Sequence, residues 1–168
     1  NRTTANSCCV SGLLNSKGVH SYGQNNNTTN VKFMGMENTW ANQWDRYLGE
    51  VMVNGVRKIK RTQGTQDGST VTDYNFDGTG YITLSEVPAP SGTSGGYISG
   101  TTTVDNLGIF PTVISGSSST YECDGMWFNN SGTMVAVRGG ASIDGALCGV
   151  SYLNLNNPAS NANWGIGS

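Results

Sequence analysis

Along the chain, apolar residues gather in short runs separated by turn formers, a pattern of brief elements and long connections. Residues 1–30 read as loop: Gly12, Gly18 and Gly23 lead into the polar run Gln24-Asn25-Asn26-Asn27-Thr28-Thr29-Asn30, which offers nothing to a core. Val31-Lys32-Phe33-Met34 predicts a short strand. Over 37–48, Trp40, Trp44, Tyr47 and Leu48 fall at helical spacing and Gly49 is placed to end the helix. A helix whose two tryptophans anchor a core is therefore expected there. The hairpin signal that follows is sharper: Val51-Met52-Val53 and Val56-Arg57-Lys58-Ile59 flank Asn54-Gly55, a pair suited to the positive φ values of a type I′ turn.

Residues 64–100 are turn-rich, with Tyr81-Ile82-Thr83-Leu84 as a strand and Pro88-Ala89-Pro90 interrupting regular pairing, so one long irregular insertion is expected. The last third carries short strands over 120–128 and 133–138 and a buried run over 150–155. Leu153 and Leu155 alternate and should point inward together, while Asn154, Asn156 and Asn157 are suited to bonding backbone groups in an irregular segment. No repeat of solenoid period is present, and the whole predicts one α+β domain with little helix and much loop.

Composition sharpens this picture. A chain of 168 residues buries enough surface for one self-sufficient domain. Its 24 glycines are about twice the usual share, as expected of many turns on a modest core. Four Trp, seven Tyr and four Phe separate it from disordered sequences of similarly low charge. A net charge of −2 gives no general attraction to nucleic acid or anionic membrane. Arg57, Lys58, Lys60 and Arg61 form the single basic cluster, expected as a solvated face or a protected sheet edge. No apolar run approaches the roughly 18 residues that span a bilayer, so membrane insertion is not expected. The polar start Asn1-Arg2-Thr3-Thr4, without an initiator Met, reads as a fragment whose targeting information lies elsewhere. Cys8, Cys9, Cys123 and Cys148 do not make a disulfide-dense scaffold; a bridge from Cys123 to Cys148 is conceivable, and buried thiols are the simpler reading.

Motifs that invite an enzymatic or metal-binding reading are incomplete. Asp73-x-Asn75-x-Asp77-Gly78 opens like an EF-hand loop, but Leu84 stands where the bidentate Glu belongs and Glu86 comes two residues late, which leaves an Asx-rich turn. Gly92-Thr93-Ser94-Gly95-Gly96 fits the nucleophile-elbow pattern without the strand before it or the helix after it. His20, the single histidine, lies in a loop, and one His with scattered Cys makes neither a triad nor a zinc site. Glu37, Asp45, Glu86, Asp124 and Asp144 are candidates for a hydrolytic carboxylate pair, but spacing alone brings no two together. No cofactor is expected.

Two stretches carry a family resemblance. Gly35-Met36-Glu37-Asn38-Thr39-Trp40-Ala41-Asn42-Gln43-Trp44 resembles a helix of C-type-lectin-like proteins related to the formylglycine-generating enzyme. The run from Gly116 to Asp124, then Arg138-Gly139-Gly140, Tyr152-Leu153-Asn154-Leu155-Asn156-Asn157, and the end from Asn161 to Ser168 resemble the variable proteins of diversity-generating retroelements. The likeness runs from about Ser11 to the end and is strongest after Gly116. It implies a C-type-lectin-like fold and a non-enzymatic role in binding a host surface receptor, protein or glycan, from a virion tail or a bacterial cell surface. It also implies oligomeric display, with a homotrimer expected, and a last strand continuing briefly beyond Ser168.

Carried over by position, the resemblance marks Ala141, Ser142, Ile143, Asp144, Leu147, Ser151 and Gly165 as diversified, surface-exposed contacts within a variable region over 121–168. It marks Glu122, Gly125, Met126, Phe128 and Arg138 as further candidates. Gly139, Gly140, the Leu153 to Asn157 run and Trp164 are implied to be fixed scaffold. The stretch Ala141-Ser142-Ile143-Asp144-Gly145 has no periodicity, as suits a surface segment or ordinary loop filler. A formylglycine-generating or glycosidase activity and a purely structural virion role stand as alternatives.

Overall fold

The computed structural model describes residues 14–17, 21–22, 31–60, 74–119, 124–161 and 166–167. Among them the chain forms β-strands and no α-helix; its helical element is a 3-10 helix, Ser142–Leu147. This overturns the expected α+β, C-type-lectin-like architecture: the protein is a curled, nearly all-β sheet. The helix predicted over 37–48 fails for a backbone reason. After β1 (Ser21–Tyr22), β2 (Lys32–Phe33) and β3 (Met36–Glu37), Asn38 and Ala41 adopt φ values of 58° and 61°, which no right-handed helix contains. The chain then enters β4, Trp44–Val53, where strands on both sides pair with it. Four apolar residues at helical spacing are outweighed by that pairing.

Strands β1, β2 and β3 make a small antiparallel sheet. The large sheet contains β4, β5 (Val56–Ile59), β6 (Ile82–Thr83), β7 (Ser91–Gly92), β8 (Gly95–Val104), β9 (Gly108–Ile114), β10 (Gly125–Phe128), β11 (Thr133–Arg138), β12 (Leu153–Asn157) and β13 (Ile166–Gly167). Its order is β6-β5-β4-β11-β12-β10-β8-β9-β7, with β13 parallel to the start of β4. The predicted hairpin is present: Val53 pairs with Val56 across Asn54 and Gly55, whose φ values are 48° and 80°. Residues 64–100 are not one irregular insertion, because they include β6, β7 and part of β8. The sequence of β8 hides its strand: Ile98 and Val104 are its buried hydrophobic residues, and pairing with β9 and β10 supplies the order that patterning does not announce.

Chain length shows why this sheet must curl. β6 and β7 stand at opposite ends of an order of nine strands, and a flat sheet would separate them by about 38 Å. Residues 84–90 join them, and the path from Thr83 to Ser91 reaches at most about 29 Å. The ends therefore approach, and Leu84, Val87, Val104 and Phe110 seal the gap as one buried cluster with Ile59 against it. Inside the curl, Met52, Ile98, Ile114, Met126, Met134, Ala136, Leu153 and Leu155 form the main core.

The interior also holds charge. Arg57, fully buried, donates to Glu50 Oε1 through Nε at 2.8 Å and through Nη2, while Arg138 Nη2 donates to Glu50 Oε2 at 2.7 Å. Burial pushes the Glu50 carboxyl up, but attraction and hydrogen bonds from the two guanidiniums outweigh it and hold the group below its ordinary value. The expectation that the basic cluster is a solvated face or edge guard is wrong for Arg57. It crosses the interior to donate to Pro111 O at 2.8 Å and lies 4.9 Å from the Phe110 ring, which helps hold the curled sheet together. Lys58 and Lys60 are half-buried, and Arg61 lies outside the described residues.

Candidate functional site

The connection between β11 and β12 is built as a rigid frame with free side chains on it. Arg138 ends β11, and Gly139 and Gly140 follow with φ of 83° and 79°. A side chain at 140 would meet Cys148 Sγ at 2.6 Å, so glycine is required both for backbone conformation and for space. Cys148 is fully buried, its thiol 3.1 Å from Ala141 O, and packs with Val31 and Ala41. Cys148 is a buried free thiol, in line with the simpler reading, and Cys123 lies outside the described residues.

Asp144 fixes the middle of the connection. Its Oδ2 accepts from Ala141 N at 2.8 Å, closing the first turn of the 3-10 helix, and from Trp44 Nε1 at 2.7 Å. The same indole donates to the Tyr152 hydroxyl at 3.1 Å. Burial raises the Asp144 carboxyl above its ordinary value, and the bonds from Ala141, Trp44 and Tyr152 offset part of that; burial first, and Asp144 second, drives the Tyr152 phenol up. Asp124 anchors the far end by accepting from Ser151 N at 2.6 Å, and its carboxyl is also raised by burial. A side chain at Gly149 would overlap that carboxylate.

The candidate contacts therefore divide. Ile143 is 47% exposed, Ser151 is exposed, and Arg138 is 33% exposed at the rim while bound to Glu50. Leu147 is half-buried against Gly125. Ala141, Gly125 and Met126 are buried, and Phe128 packs against the main core. Those four support the fold, so the expectation of surface contacts fails for Ala141, and Gly125, Met126 and Phe128 are core-facing. Asp144 is a structural anchor. Ser142 opens the 3-10 helix, and Glu122, Gly165 and the scaffold candidate Trp164 lie outside the described residues. Sequence reasoning missed Val150, which is 78% exposed beside Ser151; a lone Val in a run taken for a buried strand carries no surface signal.

Two faces flank this connection. On one, Val150 joins Phe33, Met36 and Trp40 around an apolar cavity of about 260 Å³. Val150, Ser151 and Arg138 also face Thr101, Ile109 and Pro111 across a second cavity of about 270 Å³. On the other, Ile143 and Asp144 overlook the outer surface of the large sheet. There Gly95, Trp127, Asn154 and Val137 succeed one another in register across β8, β10, β12 and β11. Trp127 lies over Gly95, where any side chain would overlap the indole, and its ring centroid is 5.7 Å from that of Tyr152. This arrangement leaves a cleft of about 230 Å³ between Trp127 and Ile143.

The tempting motifs have structural duties. Asn75 Oδ1 accepts from Gly78 N at 2.7 Å and from Thr79 N at 3.2 Å, and Asp77 Oδ1 accepts from Thr79 N at 2.8 Å, an Asx turn; Asp73 lies outside the described residues. Ser94 occupies the link between strands β7 and β8, with no helix after it. His20 lies outside the described residues. Of the carboxylates, Glu37 accepts from Leu14 N at 2.9 Å, Asp45 and Glu86 are exposed, and Asp124 and Asp144 serve as the anchors described. Among the described residues no cluster of His, Cys, Asp and Glu is arranged to hold a metal, and no helix is long and apolar enough to cross a membrane. No known family model and no curated protein matches the chain.

Proposed function

We propose that the protein is a recognition domain that engages a host surface receptor through the β11–β12 connection, carried on a virion tail or a bacterial cell surface. The observation that carries this reading is the separation of frame from contact on one short segment. Gly140, Cys148, Asp144 and the Ser151 amide are tied down, while the side chains of Ile143 and Val150 project into solvent and that of Ser151 is exposed beside Asp124. A backbone held before binding lowers the ordering cost of binding, and side chains with no folding duty can change without unfolding the domain. Rapid diversification of receptor contacts needs both properties.

Display of several copies would raise avidity, so a homotrimer belongs to the same proposal. The test exchanges the projecting residues, Val150→Ser and Ser151→Arg, and follows adsorption to host cells beside thermal unfolding. Loss of adsorption with an unchanged midpoint supports the reading, and unchanged adsorption in the combined variant refutes it. A near-copy of the DNA encoding residues 121–168, differing at adenines and lying beside a reverse transcriptase gene, is the genomic counterpart.

A further inference from the structure

We infer that the outer cleft between Trp127 and Ile143 binds one ring of a neutral saccharide; this rests on the recognition reading above and names a ligand class for it. A pyranose presents a face of C–H bonds and an equator of hydroxyls, so its site needs an aromatic plane beside fixed planar donors and acceptors. The cleft supplies both. The half-buried Trp127 forms its aromatic wall, backed by the buried Tyr152 ring and with Trp44 beside it, and Asp144 and Asn156 supply polar groups at the surface over the buried Asn154.

Asp144 and Asn154 are held in place before any ligand arrives. Asn154 Oδ1 accepts from Asn156 N and from Asn157 Nδ2, each at 2.9 Å, and Asn157 Oδ1 accepts from Asn161 Nδ2. The Trp44 indole joins Asp144 and Tyr152 in a second linked set. Among the described residues, the Trp127 indole N–H, which lies over Gly95, and the Asn156 carboxamide are left over: neither makes a hydrogen bond within the protein, and both residues line the cleft. Two unused polar groups beside an aromatic wall are what a hydroxyl-bearing ring would engage.

Size and charge narrow the class further. At about 230 Å³ the cleft is below the roughly 300–1,000 Å³ typical of drug-sized ligands, so it suits one ring of a chain and not several. Among the described residues that line it, the charged one is Asp144, so uronic and sialic acids are disfavoured. Arg138 serves the opposite side of the connection.

The experiment titrates the isotope-labelled protein with maltotriose, chitotriose and mannotriose, and with trigalacturonate as the acidic probe, following the indole N–H signals of Trp44 and Trp127. A neutral sugar is expected to shift both at millimolar concentration, Asn156→Ala to weaken binding by about tenfold, and Trp127→Ala to abolish it. Asn156→Ala removes a half-exposed carboxamide that bonds nothing, so it keeps the test valid if Trp127→Ala misfolds. No shift with any neutral sugar, equal response to trigalacturonate, or binding unchanged in both variants overturns the inference. Silent sugars with adsorption still sensitive to Val150→Ser and Ser151→Arg would remove the saccharide and leave the recognition reading. Sugar binding with adsorption insensitive to those exchanges would do the reverse.

Discussion

Replacing Glu50 by Gln removes the negative charge between Arg57 and Arg138 while keeping nearly the same shape. Taking one partner from a buried ion pair costs about 3–5 kcal/mol, against a total stability of roughly 5–15 kcal/mol for a domain. The structure indicates which arginine carries that cost. Arg138 is 33% exposed and free to turn towards water, whereas Arg57 is 0% exposed and keeps only Pro111 O and the Phe110 face. The expected loss is therefore near the lower end, about 3 kcal/mol. Urea unfolding measures it as a lower midpoint at unchanged slope. Combining Glu50→Gln with Arg57→Met removes the stranded charge as well, and the double variant should recover about 2 kcal/mol relative to additivity. A single-variant loss under about 1 kcal/mol, or strict additivity, would refute the claim that Arg57 depends on Glu50.

The same pair has a pH signature. Because the folded Glu50 carboxyl lies below its ordinary 4.5, the unfolded chain binds more protons just under that pH. Its contribution is fully present above 4.5 and is lost as the pH falls through the folded value. Asp124 and Asp144 are raised by burial, and their contributions are lost as the pH rises through their folded values. The difference between wild type and Glu50→Gln isolates the first effect, and it should shrink on acidification from pH 6 to pH 3. A constant difference would contradict the assignment.

Asp144→Ala should cost about 2 kcal/mol, since it strands the Ala141 amide and leaves the Trp44 indole with the Tyr152 hydroxyl as its acceptor, whereas Ile143→Ala should stay within about 0.5 kcal/mol; thermal unfolding compares the two. Gly95→Ala should cost about 1–3 kcal/mol and displace the Trp127 ring, visible in the near-ultraviolet circular dichroism. Leu155→Ala, in the centre of the main core, should cost about 2–5 kcal/mol by urea unfolding.

The parts of this molecule that were legible in its sequence are those where local chemistry decides conformation. Asn54-Gly55 identifies its hairpin because the turn demands positive φ, and Leu153 and Leu155 point inward together because a strand alternates. The strand over 133–138 matches its observed bounds. What could not be read depends on partners far along the chain. Arg57 looks like surface charge until Glu50, Pro111 and Phe110 surround it, and β8 looks like linker until β9 and β10 pair with it. The asparagines were understood in kind and misplaced in role: Asn154 does organise neighbouring amides, but Asn156, assigned to scaffold, presents an unused carboxamide to a cleft.

The failed helix explains most about the site. In a helix over 37–48, Trp44 would have packed inward beside Trp40, and nothing in that arrangement would have tied it to the C-terminal third. As the first residue of β4, it faces outward beside β13 and reaches Asp144, 100 positions later in the chain, at hydrogen-bond distance. That one indole sets the position of the 3-10 helix, and through Tyr152 it sets the wall on which Trp127 leans. The frame of the proposed recognition segment is therefore borrowed from a strand formed early in the sequence. Substitution at Ile143, Val150 or Ser151 leaves those contacts untouched, and a segment anchored in this way can vary at its tips without altering the fold that presents them.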